Sequence, residues 1–512
     1  MIRGDSVLVI DFGSQYSQLI AKKVKIFEIQ ADIISCRDSS IKDKSDHYQA
    51  FILSGGPESA GDEDYRHLLD FLISLDKPVL GICYGMQILH QRLGGELNFG
   101  EFPEFGNTKI RKLREHPLLD GVPLEFNVWM SHNDSVVKSS PVFKVLAAGD
   151  HSCSAAAYDE KKVYTVQFHP EVDHSEWGDR IIKNFLFLVC RLNPWWKMDL
   201  VLEDRIEEIR NVVGNNKVLL ALSGGLDSSV VAKLLKRACE HNLTGVFIDT
   251  GFYPDKEIKK VMDYFKGELR SSFHIIDEKE KYMDALRGVS NPEEKRRIIG
   301  KLFLNSFENF LEKTGEGKFF LAQGTIQSDL IESGKKSDSS HTIKTHHNTI
   351  AELRENITVI EPLSDLFKNE VRELGRKLDL PNFILNRYPF PGPGYAIRIM
   401  GEITEEKLAL VKRADEIFME KLMEKEMYSR FSQAFAVLTD TMSVGIKGDK
   451  RNYGYVVVLR AVETNDFMTA RAAHMDWNVL TEIGNEIINK IPGVSRVVYD
   501  ITGKPPGTIE WE

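Results

Sequence analysis

The chain has 512 residues, of which 42% are apolar and 28% charged, and its formal net charge is −10. This length allows about three or four domains, each large enough for its own hydrophobic core. The acidic balance argues against a broad nucleic-acid-binding surface, and no apolar run approaches the roughly 20 residues that cross a membrane. Five scattered cysteines without metal-ligand spacing indicate a reducing compartment. We therefore expect a cytoplasmic protein that binds neither nucleic acid nor membrane.

Short apolar strands alternate with helical stretches at the start of the chain. The strands are predicted at residues 7–11, 31–36, 50–53 and 78–82, and the helices at 64–75 and 86–94. This alternation indicates a mostly parallel α/β sheet. A part richer in β-strand follows over residues 126–170, a helix over 180–190 closes the unit, and Asn193-Pro194-Trp195-Trp196 resembles a linker.

A cysteine stands where one of these strands gives way to a helix, in Gly81-Ile82-Cys83-Tyr84-Gly85. Small neighbours permit a sharp turn that exposes a nucleophile, and a helix N-terminus favours the thiolate. The nucleophile needs a base that is near in space, and Phe168-His169-Pro170-Glu171 offers a histidine with a carboxylate to orient it. Gly55 and Gly56, in a second glycine turn, could supply oxyanion donors together with the amide of Tyr84.

These motifs, GICYGMQ and FHPEV among them, resemble class I glutamine amidotransferases over about residues 6–192. The resemblance implies that Cys83 attacks the side-chain amide of glutamine, that His169 transfers protons and that Glu171 orients His169. Hydrolysis of the thioester then releases glutamate and ammonia. The candidates for oxyanion and glutamine binding are Gly55, Gly56, Tyr84 and Gln87. The chain departs from the family at Asn133, where glycine is usual after His132, and a related peptidase remains an alternative for this domain alone.

A second α/β part begins with the apolar strand Lys217 to Leu222, followed by Ser223-Gly224-Gly225-Leu226-Asp227-Ser228-Ser229 and a helical pattern from Val230. Two glycines allow a tight turn, and a helix start with unpaired N–H donors is an anion site. No lysine follows the glycines as it would in the G-x-x-x-x-G-K-[ST] loop. The heptapeptide resembles the PP-loop of ATP pyrophosphatases, which cleave ATP to AMP and pyrophosphate. The plainer alternative is a Ser/Gly helix cap.

Further polar residues follow the strand at 318–322 (KFFLA). Asp329 and Glu332 come after the strand end, where an open α/β sheet builds its site, and could hold Mg²⁺ with phosphate. They could equally be acids at a helix start. Lys344, His346, His347 and Asn348 form a compact cluster that suits a phosphate or substrate clamp better than zinc, because adjacent residues on a strand point oppositely. We predict no metal site of the protein's own and expect Mg²⁺ to arrive with ATP.

The last part of the chain follows the Pro- and Gly-rich stretch 388–394 (YPFPGPG) and has the pattern of a small α+β domain. A long helix is predicted at about 405–426, with strands in AFAVLT, YVVVLRAV and VSRVVYDIT. PFPGPG, SQAF, RAVETNDFMTA and the tail over 495–512 closely resemble the glutamine-hydrolysing GMP synthetases. This resemblance covers essentially the whole chain.

The resemblance implies that ATP adenylates the C2 oxygen of XMP with loss of pyrophosphate, and that ammonia from the glutaminase domain displaces AMP to give GMP. It implies a glutaminase domain over 1–194, a parallel-sheet PP-loop domain of the adenine nucleotide hydrolase type over 195–388, and an XMP-binding and homodimer-forming domain over 389–512. Residues 223–229 would bind ATP, and Asp329, Glu332, Lys344, His346, His347 and Asn348 would form a lid. The candidates for XMP contact are Arg296, Gln433, Arg496, Lys504, Ile509 and Glu510. The strand YVVVLRAV fits either a dimer contact or an internal core strand.

Two other classes of protein fit this sequence less well. A tRNA-modifying PP-loop enzyme should carry a basic domain or a catalytic cysteine on the PP-loop half, and would need no glutaminase. The net charge of −10 argues against it. A non-catalytic regulator with decayed domains should have lost Cys83, His169, Glu171 or the SGGLDSS loop, which are all present.

Overall fold

The computed structural model describes residues 4–14, 16–60, 65–150, 152–313, 319–327, 329, 357–447, 450–464, 467 and 469–512. The chain divides into two units, Met1–Val201 and Leu202–Glu512. The predicted domain boundaries near residues 194 and 388 stay predictions. Within the described residues, no helix combines the length and apolar character needed to span a bilayer.

One sheet organises the first unit. Its strands, counted over the described residues, are β1 (Ser6–Asp11), β2 (Gln30–Ser35), β3 (Ala50–Leu53), β4 (Val79–Ile82), β5 (Glu96–Lys112), β6 (Glu125–Lys138), β7 (Lys144–Ala148), β8 (Cys153–Tyr158) and β9 (Val163–Val166). Their order is β2-β1-β3-β4-β9-β8-β7-β5-β6. The part from β2 to β9 is parallel, and the rest is antiparallel. The predicted parallel sheet with a β-rich extension is therefore confirmed, although β5 was not foreseen.

Along the chain, helices lie between and after the strands of the parallel part of this sheet. They are Ser17–Ile26, Ile41–Lys44, Arg66–Ser74, Tyr84–Arg92 and Gly178–Asn184, the last continuing as a π-helix over Phe185–Val189. Strands β1, β3 and β4 are buried almost throughout, as expected of parallel strands covered on both faces. The predicted linker packs on the unit, because Trp195 donates its indole N–H to the Asp5 carbonyl at 2.7 Å.

A parallel sheet organises the middle of the chain. In the described residues it comprises β10 (Lys217–Ala221), β11 (Leu243–Asp249), β12 (Phe273–Asp277), β13 (Phe319–Ala322) and β14 (Ile357–Ile360), in the order β12-β11-β10-β13-β14. The helices between and after them are Leu226–Cys239, Asp255–Leu269, Lys279–Ala285, Pro292–Lys313, Lys368–Lys377 and Asn382–Leu385. Helix Met198–Val213 precedes β10 and contains the point where the chain passes between units. The order reverses beside β10, and open α/β sheets bind ligands at the carboxyl ends of strands at such a point.

A smaller α+β part completes the second unit, as predicted. The described strands β15 (Gln433–Lys447), β16 (Lys450–Glu463) and β17 (Arg471–Ala472) are antiparallel, and β18 (Val494–Tyr499) pairs in parallel with β16. Its helices are Glu405–Glu424 and Trp477–Lys490. One core joins it to the parallel sheet, since Leu219 and Val246 belong to the same buried cluster as Phe418 and Val457.

Candidate active sites

Cys83 lies at a strained turn between β4 and the helix Tyr84–Arg92. Its backbone has φ 53° and ψ −106°, a conformation that residues other than glycine rarely adopt. Hydrogen bonds hold the turn, because the Cys83 N–H donates to the Val166 carbonyl at 2.8 Å and the Gly85 N–H to the Ser54 carbonyl at 3.1 Å. A Cβ on Gly85 would come within 2.6 Å of the Leu53 carbonyl oxygen. The sharp strand-to-helix turn expected from the sequence is therefore present.

His169 and Glu171 form a buried pair. Nδ1 of His169 donates to Oε1 of Glu171 at 2.7 Å, and the two residues are 3% and 1% exposed. Burial alone lowers the pKa of His169, but the negative charges of Glu171 and Cys83 outweigh it and raise that pKa well above its usual value. A raised pKa suits a ring that gives a proton to a leaving group.

The glycine turn after β3 passes beside both reacting side chains. A Cβ on Gly55 would lie 3.1 Å from Cε1 of His169 and 3.7 Å from Cβ of Cys83. A Cβ on Gly56 would lie 2.9 Å from the Phe12 carbonyl oxygen. Glycine at these positions thus lets bare backbone approach the site closely, which is the requirement for backbone oxyanion donors.

A cavity of about 480 Å³ opens over these residues. Its lining includes Gly56, Cys83, Tyr84, Gln87, His132, Asn133, Asp134 and His169. The side-chain amide of Gln87 donates to the Asp134 carbonyl at 2.6 Å, and Ser59 donates to the Asp134 carboxylate at 2.6 Å. The segment that departs from the family pattern at Asn133 therefore forms one wall of the cavity and is held there by Gln87.

The loop Ser223–Ser229 joins β10 to the helix Leu226–Cys239. Gly224 has φ +75°, and the helix begins directly after Gly225, so Asp227, Ser228 and Ser229 lie in its first turn, ahead of the apolar pattern from Val230. The hydroxyls of Ser228 and Ser229 donate to the Gly225 carbonyl at 3.2 and 2.7 Å. The predicted sequence of strand, glycine turn and helix N-terminus is therefore present, with the serines closing the first turn.

A lysine that the sequence analysis missed lies against this loop. Nζ of Lys368 is 2.7 and 2.6 Å from the two carboxylate oxygens of Asp227. Gly324, just after β13, also approaches the loop, since a Cβ there would lie 3.0 Å from the Ser228 nitrogen. The carboxyl ends of β10 and β13 thus meet around the start of one helix.

Few of the predicted lid residues can be placed. Oδ2 of Asp329 accepts a hydrogen bond from the Ile326 N–H at 2.9 Å, beyond the end of β13. Glu332, Lys344, His346, His347 and Asn348 lie outside the described residues. Among the residues that are described, no three His, Cys, Asp or Glu side chains form a group suited to hold a metal ion.

Several residues predicted to contact XMP meet around the tail of the chain. Gln433 donates to Oε1 of Glu510 at 2.7 Å, and Arg398 binds both carboxylate oxygens of Glu510 at 2.8 and 3.1 Å. Arg460 donates to the Ile509 carbonyl at 2.9 Å. Arg398 and Arg460 are 2% and 0% exposed, and neither was predicted to have a role.

The remaining candidates for XMP contact differ in position. Arg296 binds the Glu512 carbonyl, so it adjoins the same tail. Nζ of Lys504 donates to the Phe467 carbonyl at 2.7 Å. Arg496 is opposite Val456 on β16, whereas Gln433 is opposite Val462. Six residues of extended strand span about 20 Å, and the structure of one chain therefore does not bring Arg496 to the Gln433–Glu510 pair.

Three parts of the chain match known protein families. Three family models match the chain: glutamine amidotransferase class I over residues 8–189, NAD synthase over 199–299 and the GMP synthase C-terminal domain over 420–511. A glutamine amidotransferase of known structure from Thermotoga maritima is 19% identical, covers 46% of this chain and 98% of its own, and superposes with a TM-score of 0.29. The fold and the site together define a class I glutamine amidotransferase joined to a PP-loop, ATP-using ligase.

Full-length relatives specify the family. A Thermotoga maritima protein named GMP synthase [glutamine-hydrolyzing] is 45% identical over 508 residues, which are 99% of this chain and 100% of that protein. One of the same name from Francisella philomiragia is 44% identical, over 100% of this chain and 99% of its own length. The chain belongs to the glutamine-hydrolysing GMP synthase family, as its sequence motifs predicted.

Proposed function

We propose that this chain makes GMP from XMP, ATP and glutamine, with glutamine hydrolysed in the first unit and XMP aminated in the second. The observation that carries the proposal is the presence in one chain of a buried Cys–His–Glu site and a PP-loop at the carboxyl end of a parallel sheet. We retain the proposed domains 1–194, 195–388 and 389–512. The scattered cysteines favour a reducing, cytoplasmic location.

In the first unit, the Cys83 thiolate attacks the side-chain carbonyl carbon of glutamine. Backbone N–H groups of the Gly55–Gly56 turn and of Tyr84 stabilise the oxyanion that forms. When the tetrahedral intermediate collapses, His169 gives its proton to the departing nitrogen and ammonia leaves. A Cys83 thioester remains. The raised pKa of His169 supports this role, because it favours the protonated ring before the attack.

Hydrolysis of the thioester reverses the proton movement. His169, now neutral, takes a proton from water as the water oxygen attacks the thioester carbon. Collapse of the second intermediate expels the Cys83 thiolate and forms a side-chain carboxylic acid, which releases its proton to solvent to give glutamate. Glu171 keeps the ring oriented through its 2.7 Å hydrogen bond during both steps. The cycle thus ends with the thiolate and protonated imidazole that began it.

In the second unit, the loop Ser223–Ser229 binds the pyrophosphate end of ATP. Backbone N–H groups at the start of a 14-residue helix favour negative charge there. The XMP C2 oxygen attacks the α-phosphorus, and pyrophosphate leaves. The Lys368 ammonium lies beside Asp227 inside the loop. It can therefore stabilise the negative charge that develops on the departing pyrophosphate. Ammonia then attacks C2 of the adenylated purine, and AMP leaves to give GMP.

We propose that Mg²⁺ enters with ATP. Among the described residues, no three His, Cys, Asp or Glu side chains form a group that could hold a metal ion. The Asp227 carboxylate nevertheless offers the oxygen ligands that Mg²⁺ prefers. The pairing of both Asp227 oxygens with Lys368 means that one oxygen would have to be released. The ion would neutralise phosphate charge. Asp329 and the residues of the proposed lid, Glu332, Lys344, His346, His347 and Asn348, would contribute further polar groups over the nucleotide.

We place XMP against the tail, where Arg398 and Gln433 donate to Glu510 and Arg460 donates to the Ile509 carbonyl. Glu510 would accept hydrogen bonds from ribose or base, and Arg296 and Lys504 are the candidates for the 5′-phosphate. The buried Arg398–Glu510 pair fixes the carboxylate, so the tail presents a preformed surface rather than a frayed end.

We also propose a homodimer that forms through the apolar hairpin face, defined as Met442, Val444, Ile446 and Tyr453. These side chains share one face of the β15–β16 pair, and Ile446 and Tyr453 are 81% and 63% exposed. Contiguous exposed apolar surface of this kind marks contact sites. The segment YVVVLRAV fits the core interpretation at Val457 and Leu459, which are buried inside the unit.

The test is AMP formation from ATP, Mg²⁺ and glutamine, measured with and without XMP. The proposal expects XMP-dependent AMP release with one GMP per AMP. Release of AMP that does not depend on XMP, accompanied by glutamine hydrolysis, would point to a different carbonyl acceptor.

A further inference from the structure

Arg387 ties the PP-loop to two other elements of the second unit. Its Nη1 donates to the Gly224 carbonyl at 3.0 Å, and its Nε donates to the Glu257 carboxylate at 3.0 Å. Its side chain is 8% exposed, and Glu257 lies on the helix Asp255–Leu269. A guanidinium that donates from two of its nitrogens, Nε and Nη1, and is shielded from water is a stiff connection. The loop carbonyl is therefore fixed from outside the loop.

The hydrogen bond from Arg387 fixes the loop at Gly224, the residue with the most unusual backbone conformation in the loop. It has φ +75°, and a Cβ there would lie 3.0 Å from Cδ1 of Ile258 on the same helix as Glu257. The loop thus turns through glycine-only geometry while pressed against that helix. The Arg387 bond sets the direction of the Gly224 carbonyl, and with it the following N–H of Gly225, because the two share one peptide plane.

The connection continues toward the tail through an aromatic ring. The guanidinium carbon of Arg387 lies 5.8 Å from the centre of the Phe390 ring, and that of Arg398 lies 4.5 Å from the same ring. Both distances allow cation–π attraction. Arg398 in turn binds Glu510, which accepts from Gln433. Contacts therefore run unbroken from the PP-loop to the proposed XMP surface.

We propose that Arg387 is a positioning residue for the PP-loop and that Phe390 links it to the Arg398–Glu510–Gln433 cluster, so that the binding of ATP and of XMP is energetically coupled. This rests on the proposed function, which puts ATP at the loop and XMP at the tail. Coupling between two sites is reciprocal, so each substrate strengthens the binding of the other by the same factor. Loss of either link weakens that factor without removing a group that touches the reacting atoms.

The test uses the full chain with ammonia as nitrogen donor, so that glutamine hydrolysis plays no part. The KM for ATP is measured at low and at saturating XMP in the unchanged protein and in Arg387→Lys, Arg387→Gln, Phe390→Leu and the Arg387→Gln/Phe390→Leu pair. The matched control is Arg376→Gln, because Arg376 is an exposed arginine of the same unit. Thermal unfolding checks each variant. Arg387→Lys keeps the charge but lacks the two separate nitrogens from which Arg387 donates to Glu257 and Gly224, so it remains informative if Arg387→Gln fails to fold.

We expect Arg387→Gln to raise the KM for ATP about tenfold, as the loss of a buried charge-assisted hydrogen bond implies, with kcat little changed. Phe390→Leu should abolish the dependence of that KM on XMP, and the double variant should be no more impaired in coupling than Phe390→Leu alone. An unchanged KM for ATP in Arg387→Lys and Arg387→Gln would overturn the positioning role. A KM for ATP that is the same at low and at saturating XMP in the unchanged protein would overturn the coupling.

Failure of the inference is distinguishable from failure of the proposed function. Asp227→Asn is assayed alongside, since Asp227 lies inside the loop itself. If Asp227→Asn loses AMP formation while the Arg387 variants behave like Arg376→Gln, the inference alone falls. If Asp227→Asn also retains full AMP formation, the assignment of ATP to the loop falls with it.

Discussion

Lys368 places its ammonium 2.6 and 2.7 Å from the two carboxylate oxygens of Asp227, although 141 residues separate them in the chain. Both side chains are partly exposed, at 32% and 26%, so the pair adds at most about 1 kcal/mol to stability. Its importance is its position inside the proposed ATP loop. A cation held there by a carboxylate is ready to move to a phosphate when one arrives.

Asp227→Asn should therefore abolish AMP formation with either glutamine or ammonia, because it removes the carboxylate that holds Lys368 and offers an oxygen ligand to Mg²⁺. Lys368→Gln should raise the KM for ATP by about tenfold or more through the lost charge on phosphate. Steady-state assays with varied ATP measure both. Lys377→Gln, at the other end of the helix Lys368–Lys377, is the control, and equal effects at Lys368 and Lys377 would contradict a specific role.

Cys83→Ala should lower glutamine-dependent GMP formation by at least about a thousandfold, because no nucleophile remains to form the thioester. Ammonia-dependent formation should persist at its original rate. Parallel assays with the two nitrogen donors provide the measurement. Cys153→Ala is the matched control, as Cys153 is buried in the same unit but its pKa is raised to about 12 by that burial, which suits an inert thiol. Loss of both activities in Cys83→Ala would contradict the division of labour.

Gly55→Ala should lower the glutamine-dependent kcat by about tenfold, since the new methyl group would lie 3.1 Å from Cε1 of His169 and displace the proton carrier. Ammonia-dependent synthesis should be unaffected. Gly149→Ala is the control, because the nearest atom to a Cβ there is the Ser154 hydroxyl at 3.6 Å and no positive φ is involved. Full glutaminase activity in Gly55→Ala would show that the turn is not close to the reaction.

The His169–Glu171 pair should make stability depend on pH. The pKa of His169 is raised above its ordinary 6.5, so the folded state binds the proton more tightly than the unfolded state does. The resulting stabilisation is fully present below about pH 6.5 and is lost as pH rises through the raised pKa. Glu171→Gln removes one of the two charges that raise the pKa of His169, so that pKa falls toward its ordinary value.

The difference in free energy of unfolding between the unchanged protein and Glu171→Gln should thus be greatest at acidic pH and shrink as the solution becomes alkaline. Urea titrations followed across pH measure this difference, and NMR titration of the His169 ring gives the pKa directly. A difference that grows with pH would have the wrong sign and would contradict the assigned charge state.

Val444→Lys with Ile446→Lys should convert a dimer to monomers, because two like-charged lysines would enter the apolar hairpin face from each subunit. Sedimentation velocity measures the change. Ile275→Lys is the control, since Ile275 is 40% exposed on the edge strand β12 in another part of the unit. An unchanged oligomeric state in the double variant would place the contact elsewhere.

Local pattern was enough for the features that depend on neighbouring residues. The turns at Cys83 and at Ser223–Ser229 were predicted because a strand, a glycine and a helix start follow one another directly in the sequence. The apolar pattern of this helix starts only at Val230, four residues after its first residue, Leu226, because the first turn is mostly polar and lacks the apolar period. The family followed from the same motifs together with the tail.

The long-range partners were decided by tertiary structure alone. Lys368, Arg387 and Arg398 lie in unremarkable stretches of sequence, and each meets its carboxylate through packing between distant elements. Strand pairing likewise separates Arg496 from Gln433, although both stand in motifs of one family. The sequence by itself thus determined which chemistry each loop can do, since a turn depends on the residues that form it. The charged partners that orient those loops depend on which elements pack together, and that is settled only when the core forms.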